Sequence, residues 1–286
     1  LYAGDMDAYD LFKALFHPII HEYHNCPDHK MKTGLVPLDL ADPDPKGEFI
    51  ISTRIRLARN LKSFPFTCHM DAGLRNKAQK EIRLALESLP GDLAGMYYSY
   101  EDTDKTLLSQ LLESKIAFKK GDRFQEAAGL NRDWPAGRGV FHSKDRHFIV
   151  WVQEEDLLRL ISIERSSSII SVYDRICRAV QWLDNKLDFA RHPDYGYLTS
   201  CPTNIGTTMR AGVHIRLENL DQEPELLRKT ADKYDLQIRG TGGEKTRVEQ
   251  AVYDISNKRR MGVSEADLIQ TLCDGLAEII RLEKSL

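Results

Sequence analysis

The sequence of 286 residues has no G-x-x-x-x-G-K-[ST] segment and no G-x-G-x-x-G between a strand and a helix. Without such a glycine-rich loop, no run of backbone amides is set to cradle phosphate, so any phosphate must be held by side chains. Cysteine is sparse: Cys26, Cys68, Cys177, Cys201 and Cys273 are odd in number and irregular in spacing, with no C-x-x-C. That excludes a disulfide framework and a thiolate zinc pattern, and it points to reduced thiols in a cytosol-like compartment. No apolar run reaches the roughly 20 residues of a membrane span, and no signal peptide is visible. A net charge of −3 gives no footing for nucleic acid or an anionic membrane surface. The chain opens at Leu1 and not at methionine, as a fragment or a processed product would.

What is present is a large apolar fraction, 42%, enough to bury one large domain or two. Two segments alternate with period two. In Phe49–Arg59 the alternation sets Phe49, Ile51, Thr53, Ile55 and Leu57 against Ser52, Arg54 and Arg56. In Thr208–Leu217 it sets Met209, Ala211, Val213, Ile215 and Leu217 against Arg210, Gly212, His214 and Arg216. Guanidinium groups lined along a strand form an anion-binding surface, because their planar forks match phosphate oxygens in pairs. A solvated polar face accounts for either strand alone; two in one chain favour phosphate. Arg159 and Arg239 lie near further expected strands.

The organisation is mixed α and β. Residues 5–24 carry Leu11, Phe12, Leu15, Phe16, Ile19 and Ile20 near helical spacing, interrupted by Pro18. Residues 25–48 hold four prolines and read as a linker. Helices are expected over Lys77–Leu89, Val172–Leu187 and Ser264–Leu286, the last opened by a Ser264/Asp267 capping box. Phe148–Val152 fits a buried strand. Directly after it come Glu154, Glu155 and Asp156, which suit either a solvated helix start or the acidic half of a site. Cys201, in CPTN, is either a core filler or a thiol tuned by the hydroxyl of Thr203. The segment RGTGGE, Arg239–Glu244, is a surface turn or a closely approaching loop ending on a carboxylate.

Taken in order and spacing, ISTRIRLAR, WVQEED, CPTNIGTT with Arg210, RGTGGE and VYDISNKRRMG resemble the signature segments of the phosphagen (ATP:guanidino) kinases over essentially the whole chain. Within that family the arginine kinases are the most similar, on Glu244 and on NKRRMG. The resemblance implies an α+β catalytic domain over 49–286, an antiparallel sheet of about eight strands flanked by helices. It implies a remnant of an all-helical domain over 1–28 and a linker over 29–48.

The implied reaction is reversible transfer of the γ-phosphoryl group of Mg-ATP to the guanidine of L-arginine, giving phosphoarginine and ADP, with Mg2+ arriving on the nucleotide. The implied partners are ATP or ADP and a small guanidino substrate, with no nucleic acid and no membrane, in a cytoplasmic monomer or homodimer. By the same resemblance Ser52, Arg54, Arg56, Arg159, Arg210 and Arg239 hold phosphates, His142 and His214 flank the adenine, and Asp254 lies in the closing segment. Glu155 grips the guanidine and accepts its proton, Glu154 meets Mg2+ through water, and Glu244 is the second guanidine-binding carboxylate. Cys201 is the reactive cysteine, and Tyr2 edges the guanidine pocket. The family reads N-E-E-D-H where this chain has Gln153 to Leu157, and Gly-Gly where it has Ser166–Ser168. Another phosphagen kinase (taurocyamine, lombricine or creatine), a protein-arginine kinase and a catalytically impaired nucleotide-binding homologue serving as a scaffold are the alternatives.

Overall fold

The computed structural model describes residues 1–26, 35–240 and 250–286. In chain order the elements are α1 (Ala8–Leu11), α2 (Lys13–His24), β1 (Ile50–Arg59), α3 (Ala72–Glu87), β2 (Gly95–Ser99), α4 (Lys105–Glu113) and α5 (Arg123–Ala127). There follow β3 (Gly139–Ser143), β4 (Phe148–Val152), β5 (Leu158–Glu164), α6 (Ile169–Asp184), β6 (Arg191–His192) and β7 (Gly196–Tyr197). The chain closes with β8 (Arg210–Arg216), α7 (Pro224–Lys233), β9 (Leu236–Gly240), β10 (Val252–Asn257) and α8 (Glu265–Ser285).

Eight strands form one antiparallel sheet in the order β2-β3-β4-β5-β1-β8-β10-β9. This is the α+β architecture the sequence led us to expect. One face is apolar along its length, with Ile55, Leu57, Leu160, Ala211, Val213, Ile215 and Ile255 in the main core. Helix α6 packs there on β1 and β5, α8 on β8 and β10, and α7 on β9. The opposite face is divided. Over β3 to β5 it is closed by a smaller apolar cluster in which Tyr100, Leu111 and Phe118 meet Val140, Ile149 and Ile161. Over β1, β8, β10 and β9 it is polar.

Strand β1 departs from simple alternation. Its register against β8 shifts between Ile50 and Ser52, so Ile50 is buried while Ile51 is 43% exposed, the reverse of the expected phase. A bulge of this kind resets the two-residue period without disturbing the rest of the strand. From Thr53 on, the expected faces hold.

The helix expected over 77–89 begins earlier, at Ala72, because Asp71 accepts from the Leu74 amide as its cap. The helix expected over 172–187 likewise begins at Ile169. Pro18 does not interrupt α2 but lies inside it; the break falls at Phe12. The terminal helix has the Ser264/Asp267 capping box in both directions. Helices α1 and α2 dock through Tyr9, Phe16 and Ile20 onto Phe66, Tyr195, Leu198 and Met261. Much of the expected linker is also packed, since Leu35, Leu38 and Leu40 lie against the main core.

The linker supplies caps as well. Asp44 accepts from the Phe49 and Ile50 amides at 2.8 Å each and seats the start of β1. Asp42 accepts from Ile169 N at 2.7 Å, Ile170 N at 3.1 Å and Ser168 Oγ at 3.1 Å. It caps α6 from outside, where Ser168 itself makes no cap bond. Loss of a helix cap costs about 0.5–2 kcal/mol. Asp42→Ala should therefore lower the urea midpoint with an unchanged slope, and a midpoint equal to wild type would remove Asp42 from this role.

Candidate active site

The register gathers the sequence-predicted residues on the polar half of one face. Arg56 is directly opposite Arg210, Arg54 is opposite Gly212, and Ser52 is opposite His214. His214 is in turn opposite Asp254, which is opposite Arg239. Arg159 joins from β5, beside Ala58 and diagonal to Arg56. Gly212 has a steric reason to be glycine, because a Cβ there would stand 2.8 Å from Ser256 Cβ and 2.9 Å from the Ile255 carbonyl oxygen.

Packing like charges opposite one another is unfavourable, and the partners of these guanidiniums show how the chain manages it. Arg210 is held by Asp254 at 2.7 Å and by Ser256 Oγ at 3.2 Å. Arg159 lies between two carboxylates, 2.9 Å from Glu154 and 2.8 Å from Glu155. Its burial works against the charge, but Glu154, Glu155 and Asp156 outweigh that and raise its pKa. Arg239 reaches Gln237 Oε1 at 2.7 Å. Among the described residues, no hydrogen bond or ion pair engages the guanidinium of Arg54 or Arg56. Burial first, then the charges of Arg159 and Arg210, bring Arg54 down to about 10. Burial and the same neighbours pull Arg56 well below its ordinary value. Two guanidiniums with no ion pair among the described residues thus lie amid two that are paired with carboxylates.

The acids occupy a different setting from a helix start. Residues 153–157 are the loop of the β4–β5 hairpin, and Gln153 enters it with φ of 60°. The Glu154 and Glu155 side chains are only 17% and 13% exposed. Burial raises the Glu154 pKa against the pull of Arg159. The loop is tied down on three sides. Thr67 Oγ1 and Ser200 Oγ both donate to the Glu155 carbonyl. Asp156 Oδ1 accepts from Asn60 Nδ2 and from the Ser200 amide, each at 2.7 Å. Asn60 Oδ1 accepts from the Leu157 amide at 2.8 Å. The end of β1, the acid hairpin and the Ser200–Cys201 turn thus share one knot.

Cys201 stands in that turn, its Sγ 3.1 Å from Thr203 Oγ1. The hydroxyl is where the sequence suggested, and it does favour the thiolate, but burial prevails and the thiol pKa is raised in the ligand-free chain. Arg260 secures the turn by donating to the Thr203 carbonyl at 2.7 Å and to Asn204 Oδ1 at 3.1 Å. Tyr2 is close by: burial raises its phenol pKa, followed by the charges of Glu155 and Cys201.

His142 is set apart. It lies on the same face, but four strand spacings, about 19 Å, separate β3 from the β8 strand of His214. Its ring stacks on Tyr98 at 5.2 Å and its Nδ1 is 2.8 Å from the Ser143 carbonyl oxygen. Its expected place came from the resemblance alone, which carries no information on strand order. Glu244 lies outside the described residues. Asn60, Thr67, Ser200 and Arg260 were missed, because nothing within a few residues of any of them marks a contact made across the fold. The departures from the family pattern have structural employment. Gln153 is buried and donates to the carbonyls of Arg75 and Gly137 at 2.8 and 2.9 Å. Leu157 is in the main core.

With this geometry in view, the comparisons with known proteins are specific. The model of the ATP:guanido phosphotransferase C-terminal catalytic domain matches residues 77–286. The chain belongs to that family, whose members are phosphotransferases acting on a nitrogenous, guanidino acceptor. An arginine kinase of Anthopleura japonica is 44% identical over 99% of this chain, which spans 41% of that protein's length. The arginine kinase Lit v 2.0101 of Penaeus vannamei is 41% identical, and all of this chain matches 82% of it. Among solved structures, the duplicated taurocyamine kinase of Schistosoma mansoni with bound transition state analog components superposes at a TM-score of 0.93 and 37% identity. That match covers 100% of this chain and 40% of that one. A lombricine kinase superposes at 0.94 and 32% identity, over 100% of this chain and 80% of the other.

Two outcomes follow from the electrostatics. Arg56→Met keeps the apolar stem and removes an uncompensated charge, so the ligand-free protein should melt higher, by about 1–3 °C. An unchanged or lower melting temperature would show that Arg56 has a partner in solution. The second concerns Asp156, whose carboxyl is raised to about 6 by burial and then by the charge of Glu155. An unfolded Asp loses its proton near pH 4, so between about pH 4 and 6 the native state holds more protons and stability falls as pH rises. Asp156→Asn should remove this component, and its stability relative to wild type should improve across that window. Urea melts showing a constant difference would contradict the assignment.

Proposed function

We propose that this chain is the catalytic part of an arginine kinase, transferring the γ-phosphoryl group of ATP reversibly to L-arginine. The observation that carries the proposal is the link, through Arg159, of the face bearing Arg54 and Arg56 to the Glu154/Glu155 hairpin, which Ser200 ties to the turn of Cys201. Phosphoryl transfer gives a protein little covalent work, so alignment and neutralisation of charge on the transferred group dominate. Arg54 and Arg56 would take the nucleotide phosphates directly. Arg210 and Arg239 would add to the field, and Ser52 would hydrogen-bond at the margin. His214 would stand on the adenine side with Asp254 beside it, while the separation of His142 speaks against a shared role at the same base.

At the acid end, a guanidine is a poor nucleophile while protonated, with a pKa above about 12. Glu155 would hold it through paired hydrogen bonds and accept its proton as the N–P bond forms, with Glu244 as the second grip. Arg159 contacts both Glu154 and Glu155, so one guanidinium would link the acid half to the phosphate half. Cys201 and Tyr2 would line the guanidine pocket. Mg2+ fits as a companion of the nucleotide: among the described residues no three acidic, histidine or cysteine side chains are grouped to hold a metal ion. Such a cation usually keeps waters and shares substrate phosphates, and Glu154 is the carboxylate assigned to meet it through water. When bound it supplies positive charge to the phosphate oxygens.

The similarity to a taurocyamine kinase and a lombricine kinase favours a second reading, in which the acceptor is one of those guanidines. Coupled assays on the native protein with arginine, creatine, taurocyamine and lombricine in parallel decide the matter. Turnover of arginine well above the others is expected. Turnover of none would end the enzyme reading, and preference for another guanidine would end the arginine assignment. Glu155→Gln should lower kcat by about 10²–10⁴ while Mg-ADP affinity barely changes; full activity would reduce the hairpin to a structural turn. Arg54→Ala should weaken Mg-ADP by about ten- to hundredfold, as expected for loss of a charged hydrogen bond. Equal affinity by calorimetry would exclude Arg54 from the phosphate set.

A further inference from the structure

Arg75 lies in the first turn of α3, and its side chain is fully buried. The position disfavours a cation. A helix N-terminus carries partial positive charge, and burial lowers the Arg75 pKa, with the charge of Asp133 offsetting only part of the effect. Asp133 stands 3.9 Å from Nε and is itself 33% exposed. Among the described residues that Nε has no hydrogen-bond partner. An ion buried on these terms costs stability, and an apolar side chain of similar volume would serve folding as well or better. The reaction as derived so far assigns Arg75 no work.

We propose that Arg75 is a positioning residue for Glu155, bracing the acid hairpin from behind; its service to catalysis rests on the reading of Glu155 as the group that grips the guanidine. The two terminal nitrogens of Arg75 serve different parts of the loop. Nη2 donates to the Thr67 carbonyl at 2.8 Å, and Thr67 in turn donates its hydroxyl to the Glu155 carbonyl. Nη1 donates to Gln153 Oε1 at 3.4 Å, where the chain turns into the hairpin with φ of 60°. Gln153 Nε2 returns the contact by donating to the carbonyls of Arg75 and Gly137 at 2.8 and 2.9 Å. A planar guanidinium presents its donors in a rigid fork, so the two acceptors are held at a set separation. Gly137 closes the brace on its far side. It has φ of 71°, and a Cβ there would be 2.7 Å from Arg75 Cβ and 2.9 Å from the Arg75 carbonyl oxygen, so its backbone packs directly on the start of α3. With its carbonyl held by Thr67 and Ser200, Glu155 leaves the loop from a fixed point. Placement of that kind matters to rate, since a shift of about 1 Å in a reacting group can cost on the order of 10²-fold.

The test compares Arg75→Met, Arg75→Lys and Thr67→Val in the native protein. Arg75→Met fills the same space without charge, and its kcat should fall about ten- to hundredfold with KM for Mg-ATP and the melting temperature near wild type. Arg75→Lys keeps the charge and one donor head, so it should recover part of that loss. Amide hydrogen exchange across residues 153–157 reads the placement without turnover. It should quicken in Arg75→Met and in Thr67→Val while β1 and β8 keep their protection. Wild-type exchange in the hairpin of both variants overturns the proposal, and so does a wild-type kcat in Arg75→Met, which would leave Arg75 a structural role alone. If the native protein turns over no guanidine, the enzyme reading fails, and the exchange measurement by itself decides whether Arg75 braces the loop. Should Arg75→Met fail to fold, Thr67→Val and Arg75→Lys carry both readouts, and wild-type kcat and exchange in that pair refute the brace.

Discussion

The mutual repulsion of arginines on a single sheet face is the constraint around which this molecule is organised. Arg54, Arg56, Arg159 and Arg210 are brought together by strand register, and a partly buried guanidinium cannot shed its proton at neutral pH to relieve the crowding. Glu154 and Glu155 answer Arg159, and Asp254 answers Arg210. Arg54 and Arg56 have no such ion pair among the described residues.

Holding that arrangement still is the task of the knot at the hairpin. Asp156 and Asn60 join the end of β1 to the β4–β5 loop, and Ser200 joins that loop to the turn bearing Cys201. Each bond is short in space and long in sequence. Oδ2 of Asp156 has no hydrogen-bond partner in its buried position, consistent with a carboxyl whose pKa is raised. The end of β1, the β4–β5 loop and the turn bearing Cys201 are thus held together by one polar cluster. Arg159 gives the same elements an electrostatic tie, because anything that draws its charge toward phosphate must also change the field at Glu155.

The large-scale chemistry was legible in the sequence because it follows short-range rules. Alternation over Thr53–Arg59 and Arg210–Leu217 foretold both the core face and the arginine face, since successive strand side chains must point to opposite sides. Capping chemistry foretold the start of α8, where Ser264 and Asp267 complete one another. The bulge at Ile51 was invisible, since an extra residue in a ladder is defined by the partner strand. So was the placement of Glu154–Asp156 in a tight hairpin, where Gln153 adopts φ of 60° against its ordinary preference. Asp42 resembled linker composition and proved to be the cap of α6.

By itself the sequence determined the family these segments signal together and named the candidates for its chemistry: the arginines on alternating positions, the acid run and the cysteine before a proline. Only the tertiary structure decided which of them meet. Strand order set His214 beside β1 and His142 four strands from His214. Tertiary neighbours decided which guanidiniums are paired with carboxylates and, among the described residues, which are not. The physical reason is that side-chain direction follows from local backbone geometry, whereas proximity and electrostatic compensation depend on which distant segments the buried core forces into contact.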